Sequence, residues 1–137
     1  MLMVAACAAE PSTLDGFDRT EAEIDGRSLT LLVADTSIQR NQGLRGVDAM
    51  PEGIDGMLFV FETPRPATFA MSETVISLDV WWFDGEGILI GSAPMTPCHS
   101  DPCPTYASPG VVKWALETPT GEIELTAGDR LLVDHDG

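Results

Sequence analysis

Positive charge is almost missing from this chain. Its 137 residues include one lysine and six arginines against 22 acidic residues, for a formal net charge of −15. Phosphate groups are bound mainly by lysine and arginine, so the composition argues against nucleic acid as a partner. It also leaves no polybasic patch for an anionic lipid surface. Long apolar runs are absent: no stretch of about 18 apolar residues exists, so no segment as written is a membrane-spanning helix. Histidine is scarce. His99 lies in a cysteine-containing loop and His135 near the C-terminus, which argues against Ser-His-Asp catalysis. The many carboxylates nowhere form a calcium loop of the D-x-[DN]-x-[DN]-G type. The acidity reads as a solvated surface, and no cofactor motif is present. What remains is a globular composition, 44% hydrophobic, at a length that suits one domain with its own core.

Cysteine is also sparse, at three residues. Cys98 and Cys103 lie close together in the segment Thr96 to Pro104 (TPCHSDPCP). Outside the cytoplasm such a pair reads as a disulfide. A metal site built from Cys98, His99 and Cys103, or a redox pair, is the alternative. The spacing is not the C-x2-C of zinc ribbons or thioredoxin-like sites, however, and no second pair of ligands accompanies it.

The third cysteine is Cys7. The segment Val4-Ala5-Ala6-Cys7 resembles the lipobox of bacterial lipoproteins, in which the signal is cut before the cysteine and the cysteine carries lipid. The resemblance implies a protein held at a membrane through lipid on Cys7, in the bacterial cell envelope and outside the cytoplasm. Only six residues precede Cys7 and none is basic, so the start reads as a truncated signal. The organisation expected is a truncated lipoprotein signal over 1–7, an acidic tether over 8–25 and a single β-rich domain over 26–137.

Within that domain the hydrophobic pattern is mostly of strand type. Residues 27–35 read as a first strand, with Leu29, Leu31 and Val33 on one face. Thr36 with Gln39 fits a capping box, opening a short helix that ends near Gly43. Gly56 to Phe61 is a continuous apolar run, expected as a buried strand. Thr63-Pro64-Arg65-Pro66 predicts a turn, and Thr68 to Met71 a short strand. Further strands are expected over 78–83, 88–95, 111–117, 121–126 and 130–133. About eight short strands and one short helix define a mainly β, β-rich α+β domain, with a compact barrel- or sandwich-like sheet.

The stretch from Pro66 to Gly87 is the most informative. Alternation places Leu78, Val80 and Trp82 on one face, and Asp79, Trp81 and Phe83 on the other. Both faces are apolar, so the strand is expected to be covered on both sides. Asp79 therefore needs hydrogen-bond partners or a raised pKa. Either it accepts backbone N–H groups from a neighbouring loop, or it sits at the mouth of an aromatic-lined pocket. Arg40 and Arg45 are placed where either would close such a mouth by pairing with Asp79.

These pieces, in this order, resemble a widespread prokaryotic family known as the domain of unknown function 192. The resemblance runs from about Leu29 to Val133. It is carried by Val33-Ala34-Asp35-Thr36, Gln42-Gly43-Leu44-Arg45-Gly46, the run Gly56 to Phe61, Phe69-Ala70-Met71 and Leu78-Asp79. Met95 with the Cys98 and Cys103 loop, Tyr106, Ala115-Leu116-Glu117 and Gly128-Asp129 complete it. This chain has Phe69-Ala70-Met71-Ser72-Glu73 where the family usually carries Phe-Trp-Met and a basic-polar pair. The resemblance implies a compact β-rich fold, often in an exported or lipid-anchored protein, and it supplies no activity.

The functional expectation is a non-catalytic, lipid-anchored envelope module that binds a small polar, sugar-like ligand or an envelope protein. Phe69, Met71, Asp79, Trp81 and Tyr106 would line its pocket, with Arg40 at the mouth. The alternative is a hydrolase of envelope polymers that uses Asp79 and Glu117 as an acid–base pair. Against that alternative, alternation over 111–117 places Val112, Trp114 and Leu116 inside and Lys113 and Glu117 outside, so Glu117 reads as a surface charge on an edge strand.

Overall fold

The computed structural model describes residues 14–134. Cys7, the lipobox and His135 lie outside them. Within these residues the chain runs β1 (Asp18–Ile24), β2 (Arg27–Ala34), α1 (Ser37–Gln42), β3 (Gly56–Arg65), β4 (Thr68–Ala70) and β5 (Leu78–Phe83). It continues through β6 (Leu89–Met95), β7 (Thr105–Ala107), β8 (Val112–Pro119) and β9 (Leu131–Val133). Seven strands form one sheet in the order β6-β5-β8-β3-β2-β1-β9, and β4 pairs with β7 in a separate small sheet. Neighbours in the large sheet are antiparallel except β2 and β3. A parallel pair needs a crossover, and α1 with the loop after it supplies one.

The twist of successive strands curls this sheet until its two edges meet at one end. Ile88 bridges Arg130. The Leu131 N–H donates to the Gly87 carbonyl at 2.7 Å, and the Leu89 N–H to the Asp129 carbonyl at 2.8 Å. The result is the β-rich, barrel-like architecture expected from the pattern.

Each face of the sheet carries its own core. The enclosed face gathers Ile24, Leu31, Val33, Leu58, Val60, Phe83 and Leu116. The outer face of the central strands carries Met57, Phe59, Leu78, Val80, Trp82 and Ala115. It is covered by Leu44 and Val47 from the loop after α1 and by Ala67 and Met71 around β4. This double covering explains why β3 and β5 read as continuous apolar runs.

Several expectations need correction. The segment expected as a tether contains β1, whose Thr20, Ala22 and Ile24 are buried while its charged residues face solvent. β3 continues through Thr63, Pro64 and Arg65, where a turn was expected. Its ladder to β8 is irregular between Val60 and Arg65, so proline breaks no regular pairing there. Residues 121–126 form no strand, and Thr105–Ala107, which the pattern did not mark, pairs with β4. The helix is as expected: the Thr36 hydroxyl accepts the Gln39 N–H, and Gly43 ends the helix at φ 49°.

Cys98 and Cys103 are joined in a disulfide, a bond typical of oxidising, extracytoplasmic surroundings. Ser72 bridges Cys98, which ties this loop to the segment after β4. On the chain-entropy model a ring this small stabilises by about 2 kcal/mol. Replacing both cysteines by serine is expected to cost about that much in urea unfolding. An equal loss on adding reductant to the parent chain would assign the effect to the bond.

Candidate functional site

The site begins with Glu117. β8 lies between β5 and β3, and the registers put Glu117 beside Val80 on one side and Met57 on the other. Ala115, two residues back on the same face, is fully buried. The carboxyl therefore stands on the outer face among apolar neighbours, and the residue is 5% exposed. No protein hydrogen bond or ion pair reaches its side chain among the described residues, and it opens on a cavity. The fully buried side-chain atoms without a partner among those residues are the indole nitrogens of Trp82 and Trp114. Burial alone raises its pKa from 4.5 to about 8, because a charged carboxylate there would be stripped of water without compensation. At neutral pH it is mostly a neutral acid, able both to donate and to accept a hydrogen bond. The expectation of an edge-strand surface charge is thus overturned: β8 is a central strand.

Glu117 lines a cavity of about 720 Å³ between α1 and its following loop, β3, and the segment from Pro66 to Ala70. Phenylalanine forms much of the wall. Phe59 and Phe69 meet edge to face at 5.2 Å, and Phe69 leans on Trp82 with centroids 6.5 Å apart. The buried Phe61 ring carries two guanidinium groups, Arg40 at 5.4 Å and Arg65 at 4.8 Å from its centroid. The β2 ladder ends at Phe59, and Arg40 Nη1 donates to the next carbonyl, that of Val60, at 2.9 Å. Arg45 also lines the cavity and pairs with the exposed Glu73 at 3.6 Å. Buried Thr74 contributes to the wall as well.

Of the residues expected to form a pocket, Arg40 and Phe69 line this cavity. Met71 is buried in the outer core. Tyr106 sits opposite Phe69 across β4 and β7 and packs on that core from its edge. Asp79 and Trp81 point to the other face of β5, where Trp81 belongs to the enclosed core. The Trp81 indole donates to the Thr118 hydroxyl at 3.1 Å. Asp79 accepts the Gly121 N–H at 3.1 Å, which is the loop-pinning arrangement considered for it. The expected closure of the mouth by Arg40 or Arg45 with Asp79 does not occur. Asp79 and Glu117 are on neighbouring strands but opposite faces, since Asp79 is level with Thr118 and Val80 with Glu117.

Four of the segments that carry the family resemblance meet at this cavity: the Gly43-Leu44-Arg45 turn, the β3 run, Phe69-Ala70 and the Ala115-Leu116-Glu117 strand. Fold and site together define a small curled β-sheet domain with a cleft on its outer face. The chain belongs to the DUF192 family, described as "Uncharacterized ACR", whose profile matches residues 20–133. No curated protein matches it. Two crystal structures are similar. One is a candidate transcription regulator of Sinorhizobium meliloti 1021, with a TM-score of 0.75 and 28% identity over 85% of this chain and 95% of that one. The other is a protein of unknown function from Novosphingobium aromaticivorans DSM 12444, with a TM-score of 0.77 and 23% identity over 91% of this chain and 94% of that one.

Proposed function

We propose that this protein is a non-catalytic envelope module, lipid-anchored through Cys7, that binds a small polar, sugar-like ligand in the cleft over Glu117. One observation carries the binding reading: a largely buried carboxyl group with no protein hydrogen bond among the described residues opens on a cleft of small-molecule size. Buried polar groups are ordinarily satisfied, and a cleft with apolar walls and a few placed polar groups is the usual form of a ligand site. The Cys98–Cys103 disulfide favours an extracytoplasmic location. The hydrolase reading is weaker, because Asp79 and Glu117 face opposite sides of the sheet and cannot flank one bond. Regulation of transcription, named for the Sinorhizobium relative, fits poorly with a net charge of −15.

The binding reading is tested by titrating sugars and cell-wall fragments into the full chain, followed by isothermal calorimetry. A ligand of this cleft is expected to lose about tenfold in affinity in Phe69→Ala, which removes stacking area from the wall. An affinity unchanged in Phe69→Ala but lost in Trp81→Phe would move binding to the other face of the sheet and end this reading. The anchor is tested separately by metabolic labelling with a fatty-acid analogue, which Cys7→Ser is expected to abolish.

A further inference from the structure

The arrangement of charge around the cleft narrows the ligand. Three of the chain's seven basic residues, Arg40, Arg45 and Arg65, line it, whereas among the acidic residues that the structure describes only the buried Glu117 does. A scatter of charges over a protein this acidic would give the reverse. The rest of the surface repels anions, so the cleft is a local exception. Arg40 and Arg65 are held against the same Phe61 ring, and neither has a carboxylate partner among the described residues. Two guanidinium groups without a carboxylate partner beside one cleft favour an anion there. Guanidinium groups suit carboxylate in particular, through paired N–H donors. Their stacking on Phe61 fixes them beforehand, which lowers the ordering cost of binding.

Resting on the cleft-binding reading above, we propose that the ligand is a small organic acid. Its carboxylate lies between Arg40 and Arg65, and its uncharged end enters the cleft to hydrogen-bond with Glu117. The ends are not interchangeable. A carboxylate placed beside Glu117 would lie in the apolar surroundings of Met57 and Val80, where a charge is not compensated. The phenylalanine walls take the body of the molecule, as a ring or an apolar chain.

The test uses matched probes on the full chain at pH 7: D-glucuronate against D-glucose, and 4-hydroxybenzoate against 4-hydroxybenzyl alcohol, with affinities from NMR titration. At least one acid is expected to bind tenfold or more tightly than its neutral partner. Arg65→Gln, at an exposed side chain, is expected to remove most of that preference. Arg40→Gln does the same, and Arg40→Lys restores only part of it, because lysine lacks the paired donors. Glu117→Leu is expected to weaken the acid severalfold through loss of the inner hydrogen bond. Neutral probes that bind as tightly as the acids, with shifts mapped to Phe69 and Leu44, would overturn the organic-acid assignment and leave the cleft as a binding site. Absence of binding by all four probes would overturn both. A preference for acids that survives in both arginine variants would place the anion elsewhere and also defeats the proposal.

Discussion

Glu117→Gln will be more stable than the parent chain at pH 8.5 and almost equal to it at pH 4. Burial raises the Glu117 pKa to about 8, against 4.5 for the exposed group. Between those values the folded state keeps a proton that the unfolded chain has released. Stability must therefore fall as pH rises through the window from 4.5 to about 8. Below it both states are protonated and the contribution is fully present; above it both are ionised and the contribution is lost. Glutamine has no proton to lose and escapes this penalty. A shift of this size corresponds to several kcal/mol, but burying an amide also has a cost. The net gain expected at pH 8.5 is about 2–4 kcal/mol. Urea unfolding of both chains at pH 4, 6 and 8.5 measures it. The repulsion among the many other carboxylates is shared and cancels in the difference. A difference that stays flat with pH would mean that Glu117 is ionised or paired in the folded state, and the neutral end of the cleft would be lost with it.

That residue also shows where the sequence stops being informative. The strands were legible because their apolar runs are long and their turns well marked. Gly56 to Phe61 and Leu78 to Phe83 are apolar in both phases, and both are central strands covered on two sides. The helix was legible because Thr36, Gln39 and Gly43 form a local code that does not depend on the rest of the fold. β1 was hidden because a strand whose solvent-facing positions are charged and whose inner positions are mostly small, Thr20, Ala22 and Ile24, has the composition of a tether. β7 is three residues long and is defined by its partner β4, which no local pattern specifies.

The site followed the same division. Phe69 was expected in a pocket with the other aromatic residues around Asp79, and Arg40 at its mouth as a partner of Asp79; both line the cleft, but Asp79 does not. Asp79 drew attention for standing inside an aromatic strand, yet it ends on the opposite face, with its carboxylate on the Gly121 amide. Glu117 was misread because strand alternation was carried unbroken from Val112 to Leu116. The ladder irregularity between Val60 and Arg65 separates those two residues, so Val112 packs in the outer core and Leu116 in the enclosed one. One signal was available. Ala115 and Leu116 are adjacent and apolar, so both phases of this strand are covered. A glutamate in phase with Ala115 was therefore a candidate for burial.

Gly56→Ala is expected to give the larger purely structural loss. Gly56 opens β3, level with Leu31 of β2 and next to the Met57–Glu117 pairing. A Cβ built on it would run into the backbone carbonyl of Glu117 and stand 3.0 Å from Thr118 Cγ2. The carbonyl cannot turn away, because β8 is paired with β5 on one side and β3 on the other. The strands must separate, and overpacking of this kind costs about 3 kcal/mol or more. Gly85→Ala is the control. Its Cβ would meet only Pro64 Cγ, at 3.7 Å, an ordinary contact, so a change within about 0.5 kcal/mol is expected. Urea midpoints of the two variants, set against the parent chain, measure the difference. Equal effects would show that β3 and β8 have slack at this point. The Gly56 variant carries a second expectation. Moving the backbone of Glu117 lets water toward its carboxyl and lowers its pKa toward the exposed value. The fall in stability between pH 4.5 and 8 should then be shallower than in the parent chain. A variant that loses stability but keeps the full pH dependence would show that Glu117 is held in its apolar surroundings by Met57 and Val80 alone, independently of the strand spacing that Gly56 permits.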